Sequence, residues 1–397
     1  MVKQSGQVDI IINGAGMVGL SLALALGQAG FQVLVVEAQN ITDNVLSQDE
    51  SCDLRVVAIA KSTVRFFEQL GVWGQIKSFR LGQMENMRVW DQEFSGRVDF
   101  FSAQVLEENL GYIVEQKNIL HALRCTLKKL SNVKVRTNSA LQQVQKDPSF
   151  VYCNLSEKER LTAKLLVGCD GGNSWVRNIS DIQAHVLSYQ QQAIVATIQS
   201  KEPHNYTAYQ RFNRTGALAL LPLYQDNLLS IVWSAHEDLI PGLLALSHRA
   251  FEVKLTKEID EVLGPLALKS QRVAFPLKQS HAKSYVADRV VLLGDAAHTF
   301  HPLAGQGVNF GLKDAQVLAA VLAEAKHKKR DIGLPYLLKR YERKRRLHNQ
   351  MMIYLMRAFK EGFGTSHTAT TFLRNEGLDL VNRTSLFKQF FIKNALG

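Results

Sequence analysis

A chain of 397 residues is long enough for two lobes that each bury a core, since domains cluster at roughly 100–200 residues. Its composition, 46% hydrophobic and 21% charged with no repeated or Pro/Gly-rich tract, argues against a disordered chain or a solenoid. Four scattered cysteines (Cys52, Cys125, Cys153, Cys169) form no CxxC pair, which disfavours a zinc site or disulfide framework and suits a reducing compartment. The net charge of +11 favours polyanionic partners. With no nucleic-acid module in the sequence, a membrane surface or an acidic protein is the expected partner, unless the charge is simply solvated.

The first informative stretch is Ile10–Val36, which contains no charged residue. Gly14, Gly16, Gly19, Gly27 and Gly30 punctuate it, so it reads as a buried strand (Ile10–Ile12), a helix (about Val18–Gln28) and a strand (Gln32–Val36). No cleaved leader and no membrane span are expected, and a cytoplasmic chain follows. Gly14-Ala15-Gly16-Met17-Val18-Gly19 opens the helix as a G-x-G-x-x-G turn. The first glycine permits the tight turn, the second lets a pyrophosphate approach the backbone, and the third lets helix and strand pack closely. The helix N-terminus offers free N–H groups to phosphates. Glu37, at the end of the next strand, can accept hydrogen bonds from ribose hydroxyls, so FAD and NAD both fit.

Further along, Leu165–Gly171 reads as a strand ending in Asp170-Gly171, with Ser174 and Arg177 beyond. Leu218–Leu223 and Leu228–Trp233 alternate in part, as strands of an antiparallel sheet do. Arg289–Asp295 is another strand, ending in Gly294-Asp295. It is followed by Ala296-Ala297-His298-Thr299-Phe300-His301-Pro302-Leu303-Ala304-Gly305-Gln306-Gly307-Val308-Asn309. At each strand end a carboxylate lies beside a glycine, which suits a long cofactor with a hydroxylated chain and favours flavin over nicotinamide. A helix follows, with Leu318, Val321, Leu322 and Ala325 on its core side. Its N–H groups near Ala304–Val308 can stabilise negative charge on a reduced ring, and Pro302 keeps the turn rigid.

Taken together, these motifs resemble the class A flavoprotein aromatic hydroxylases. The run Gly294–Asn309 is similar to their ubiquinone-biosynthesis branch. So are Asp53-Leu54-Arg55 with Ala58, Gly111–Gln116, Gln210–Leu223 and the tail segments Phe372–Leu378 and Lys393–Gly397. The resemblance implies an α/β fold: a discontinuous Rossmann-like FAD-binding domain, an antiparallel substrate sheet and C-terminal helices. The expected divisions are 1–75, 100–180 and 281–340 for the FAD domain, 76–99 and 181–280 for the substrate domain, and 341–397 for a C-terminal helical segment. By matching motif, Gly14, Gly16, Gly19 and Glu37 would hold adenosine and pyrophosphate, and Arg55 and Gln116 the FAD mid-section. Asp170 and Gly171 would lie by the pyrophosphate and the NAD(P)H path, with Arg177 steadying their turn. Asp295 would bind the ribityl chain, and Pro302, Gly305, Gln306, Gly307 and Asn309 would line the isoalloxazine. Asn13 departs from the pattern, since such strands usually carry an aliphatic residue or glycine there.

The implied chemistry is hydroxylation of a polyprenylated phenol or benzoquinol, with NAD(P)H as a transient reductant and O2 activated as a C4a-hydroperoxide. Association with a ubiquinone-biosynthesis complex or the inner face of the membrane is implied as well. No metal and no covalent nucleophile are required. His298 and His301 flank the flavin turn beside Pro302 and are candidates to take the phenol proton, each with a structural role as the competing reading. Tyr209 or Arg211 could reach in from the second lobe. Lys339–His348 is strongly basic and precedes Met351–Phe359, as in a membrane-surface helix or a helix whose basic face is merely solvated. Alternatives that share the cofactor motifs are a prenyl-chain reductase or epoxidase and a non-catalytic flavin scaffold.

Overall fold

The computed structural model describes residues 3–41, 46, 52–92, 97–156, 159–213, 215–300 and 307–364. Its centre is a sheet of five parallel strands with antiparallel additions. Lys3–Asn13 lies in the middle, with Val33–Val36 and then Val133–Arg136 on one side and Glu159–Gly168 and then Val290–Leu292 on the other. The chain leaves the first strand in one direction and later returns on its other flank, which places a topological switch point there. Ile10, Ile11, Ile12, Val35, Leu165, Leu166, Val290 and Val291 are all buried, as strands covered on both faces must be. The helices Met17–Gln28 and Gly307–His327 pack against each other over this sheet.

The second sheet is larger and mostly antiparallel. Its order runs His298–Thr299, Val273–Ala282, Ala184–Ser200, Leu228–His236, Gly216–Pro222, Thr207–Asn213, Asn86–Asp91 and Arg97–Phe101. One face is covered by the helices Ile240–Ala245 and His248–Glu258, where Ile194, Leu218, Leu220, Ile231 and Trp233 meet Phe251 and Leu255. The other face meets a small three-stranded sheet of Val56–Ala60, Gly111–Glu115 and Leu81–Met84. There Ala208, Leu221 and Leu228 join Ala58, Met84 and Ile113 in one apolar cluster.

The two large sheets are joined directly behind the Gly-Asp motif. Thr299 pairs with Ser280 and His298 with His281, so the chain passes from the parallel sheet to the edge of the antiparallel one within a few residues. The long helix Pro335–Gly364 then packs back along the Gly307–His327 helix. The fold is thus α/β with a separate antiparallel sheet, as the motifs imply.

Candidate active site

Strand register decides where the motifs end up. Asn13 is paired with both Val36 and Gly168, and Gly168 with Leu292, so four strands stop at one level. The next residues of each strand are Gly14, Glu37, Cys169-Asp170 and Leu293-Gly294-Asp295, which brings segments far apart in sequence to one edge. In open α/β sheets this carboxyl edge, at the switch point, is where cofactors bind.

At the glycine turn the three positions differ as their jobs require. Gly14 has φ +108°, and a Cβ there would stand 2.3 Å from the Cys169 carbonyl oxygen. A Cβ on Gly19 would lie 2.1 Å from the Gly14 oxygen, so helix and strand touch without side chains between them. Gly16 has nothing within 4 Å and faces open space. It is the N-cap of the first helix, with no side-chain cap and no acid in the first turn, so its N–H groups remain for an anion. The Glu37 carboxylate accepts hydrogen bonds from Ala15 N (2.8 Å) and Gln39 N (3.0 Å), which holds it over the turn. These features fit the adenosine and pyrophosphate of FAD.

The Asp-Gly turn is built around Asp170. Its carboxylate accepts from Ser174 Oγ (2.5 Å), Val176 N (3.0 Å) and Asn13 Nδ2 (3.0 Å). The departure at Asn13 thus has a structural reason: its amide ties the central strand to this turn. Arg177 is buried and donates to Gly172 O (2.8 Å) and Ala296 O (3.1 Å), binding the Asp-Gly turn to the Gly-Asp turn. Gly171 flanks the same opening, with nothing within 4 Å of a Cβ built on it.

At the Gly-Asp turn, Gly294 has φ +56° and packs on Val18 and Gly311. The Asp295 side chain keeps solvent exposure, and desolvation by the protein around it pushes its carboxyl above the usual range. Hydrogen-bond donors from a hydroxylated chain would stabilise it there. Beside the small three-stranded sheet, the Gln116 N–H donates to Arg55 O (2.8 Å), and Asp53 accepts from Arg55 N (2.9 Å) and Lys117 N (3.1 Å). Arg55 and Gln116 are therefore adjacent, with the Arg55 side chain exposed.

Gly307 begins the helix that follows. Asn309, three positions into it, spends its amide on the backbone: Nδ2 donates to Ala58 O (2.7 Å), and Oδ1 accepts from Ala60 N (3.0 Å) and Thr63 Oγ1 (2.8 Å). This fixes the helix start against the small sheet. His301, Pro302, Gly305 and Gln306 lie outside the described residues.

Of the candidate proton acceptors, His298 takes the structural alternative, and Tyr209 and Arg211 do not reach in. His298 is buried, and its Nε2 lies 2.5 Å from Asp314 Oδ2, so the ring is engaged within the protein. Tyr209 packs beneath the helices with Trp90, and Arg211 pairs with Glu258 (2.9 Å) and Asp260 (2.8 Å). Both point away from the face that meets the flavin-side motifs. By the period-two alternation of strands, that face instead carries Gln210, Phe212, Ala217, Ala219 and Val232.

Sequence reading missed Asp314. It is fully buried on the helix after the motif and accepts from Gly294 N (3.1 Å), His298, Arg345 Nε (2.6 Å) and Asn349 Nδ2 (3.4 Å). Burial alone would raise its carboxyl. The charges and hydrogen bonds of His298 and Arg345 outweigh this and hold it below the ordinary value. The signal was present in the sequence, because Asp314 lies four residues before Leu318 on the apolar stripe, where a charge needs a buried partner.

The comparisons with known proteins name the same cofactor. The family described as FAD binding domain matches residues 7–355. The chain is 34% identical to 3-demethoxyubiquinol 3-hydroxylase of Escherichia coli over 98% of both chains. It is 32% identical to ubiquinone hydroxylase UbiL of Rhodospirillum rubrum, over 98% of this chain and 89% of that one. The chain belongs to the FAD-dependent hydroxylase family of ubiquinone biosynthesis. This family member is also 32% identical to the human mitochondrial ubiquinone biosynthesis monooxygenase COQ6, over 96% of this chain and 91% of the relative. In fold it is similar to p-nitrophenol 4-monooxygenase PnpA of Pseudomonas putida, with a TM-score of 0.77, 19% identity and 98% of both chains covered. It is thus an FAD-dependent monooxygenase, of a kind for which NAD(P)H is the typical co-substrate.

Proposed function

We propose that the protein hydroxylates the aromatic ring of a polyprenylated phenol or benzoquinol intermediate in ubiquinone biosynthesis, taking electrons from NAD(P)H and one oxygen atom from O2. The observation that carries this reading is the shared register of Asn13, Val36, Gly168 and Leu292, which brings the glycine turn, Glu37, Asp170 and Asp295 to one sheet edge. When bound, FAD supplies the redox step and the activated oxygen. The protein binds, orients and excludes water.

Gly14, Gly16, Gly19 and Glu37 take the adenosine and pyrophosphate end, Arg55 and Gln116 the middle, and Asp295 the ribityl hydroxyls. Asp170 and Gly171 shape the opening beside the pyrophosphate, where NAD(P)H would approach. The N–H groups at the start of the Gly307–His327 helix would stabilise negative charge on a bound flavin ring, while Asn309 holds that start in place. Ala217 and Ala219 leave space on the wall that the substrate ring would lie against. His298 acts as a positioning residue through Asp314, which leaves His301 as the histidine to examine as phenol base. We assign the flavin lobe to the parallel sheet and its helices, and the substrate lobe to the antiparallel sheet. A strain deleted for the protein should accumulate a prenylated precursor lacking one hydroxyl. Unchanged quinone intermediates in that strain would contradict the proposal.

A further inference from the structure

The long helix Pro335–Gly364 has two unlike faces. Leu337, Leu338, Tyr341, Arg345 and Asn349 are buried against the protein. Tyr336, Leu347, Met351 and Tyr354 recur at helical spacing on the opposite face, 56%, 74%, 54% and 60% exposed. Leu347, Met351 and Tyr354, successive on one exposed helix face, are unusual there, since they gain nothing from water.

The N-terminal half of the same face is strongly basic. A groove of about 530 Å³ is lined by Lys328, Arg330, Tyr336, Lys339, Arg340 and Arg343, with Glu324 as its one acid. Glu324 is already taken, by Lys328 (2.7 Å) and Arg340 (2.7 Å). Among the described residues, Arg330, Lys339 and Arg343 have no carboxylate partner, and Lys344 adds another exposed cation beside them. The helix thus presents uncompensated cations, then a leucine and a methionine, with a tyrosine at either end of the strip. Cations suit phosphate, exposed Leu and Met suit acyl chains, and tyrosine suits the boundary between them. An acidic protein would explain the charges without explaining Leu347.

We propose that this helix face docks on the surface of an anionic phospholipid bilayer, lying in the interface plane. No described helix is long and apolar enough to cross a membrane. The inference deepens the lipid-phenol reading given above and rests on it for its purpose. The buried side of the same helix sends Arg345 to Asp314, which holds Gly294 beside Asp295. A bilayer on the outer face would therefore lie about one helix diameter, roughly 10 Å, from the side chains that hold the cofactor turn, a short path for an insoluble substrate.

The test is flotation of the full-length holoenzyme with vesicles of phosphatidylethanolamine and phosphatidylglycerol, with neutral phosphatidylcholine vesicles and inorganic phosphate competition as controls. Flotation is expected with the anionic vesicles only, to weaken with salt and to resist phosphate. Lys339→Glu with Arg343→Glu should reduce it about tenfold or more, and Leu347→Asp by about tenfold, with melting temperature and flavin content unchanged. Absence of flotation overturns the proposal. So does binding that the charge reversals abolish and Leu347→Asp leaves intact, which would indicate an acidic protein instead. Turnover of a short-chain, water-soluble phenol is measured in parallel. Its loss in the parent protein would count against the hydroxylase reading, whereas failed flotation with intact turnover removes only the docking surface.

Discussion

The glycine turn at residues 13–37 and the Gly-Asp turn at 294–298 sit on the same sheet edge but are held by different physics. The first is a local construction. Backbone meets backbone where Gly14 and Gly19 lack side chains, and its acid, Glu37, comes from the adjoining strand. The second depends on side chains from distant helices: Asp314 holds Gly294 and His298, and Arg345 and Asn349 hold Asp314. A steric site fails through overlap, and a charged one through loss of a partner. The comparison predicts that substitutions in the two regions fail in different ways.

The largest effect is expected in the glycine turn. Gly14→Val would force a Cβ against the Cys169 carbonyl in a left-handed conformation that valine resists. The purified protein should be colourless, with FAD affinity reduced by roughly two orders of magnitude or more, a loss of about 3 kcal/mol or more. Normal flavin absorbance after dialysis would show that the turn does not grip the cofactor as described.

In the Gly-Asp region the damage should appear first as instability. Asp314→Ala leaves the buried Arg345 charge without its partner, which should cost about 3–5 kcal/mol in denaturant unfolding. Replacing both, Asp314→Leu with Arg345→Met, should recover much of that stability while FAD still binds more weakly, because Gly294 N and His298 lose their acceptor. Full recovery of FAD affinity in the double variant would show that the network has no part in shaping the turn.

A smaller, pH-dependent difference should sharpen the contrast. Burial, together with the positive charges of His298, Arg346 and His185, lowers the His281 pKa to about 4. In the unfolded chain a histidine titrates near about 6.5. Between these values the unfolded state binds the extra proton, so stability is complete above about 6.5 and declines as pH falls towards 4. Allowing for its remaining solvent contact, the loss should be about 1–2 kcal/mol. His281→Gln should flatten that slope, and an unchanged slope would place the acid sensitivity elsewhere.

The same contrast explains what could be read in the sequence. The Gly14–Gly19 turn, its flanking strands and Glu37 lie within one short stretch whose pattern has a single sensible fold. The Asp-Gly and Gly-Asp strand ends were legible for the same reason, as apolar runs stopped by glycine and a carboxylate. Asp314 with Arg345 was not. Arg345 sits inside a run of basic residues whose other members are mostly exposed or half-buried, and only three-dimensional packing singles it out. That Tyr209 and Arg211 face the covering helices is not legible in the sequence, because a strand reverses its faces with a shift of one residue. The partial alternation of Leu218–Leu223 could not fix that register.

Turnover of the FAD-loaded protein in oxygen-18 gas, with a prenylated phenol and NAD(P)H, tests the central claim most directly. The account predicts product carrying one oxygen-18 atom on the aromatic ring, with NAD(P)H consumption stimulated by the phenol. NAD(P)H oxidation that yields only hydrogen peroxide, or a product altered in its prenyl chain and unlabelled on the ring, would contradict it.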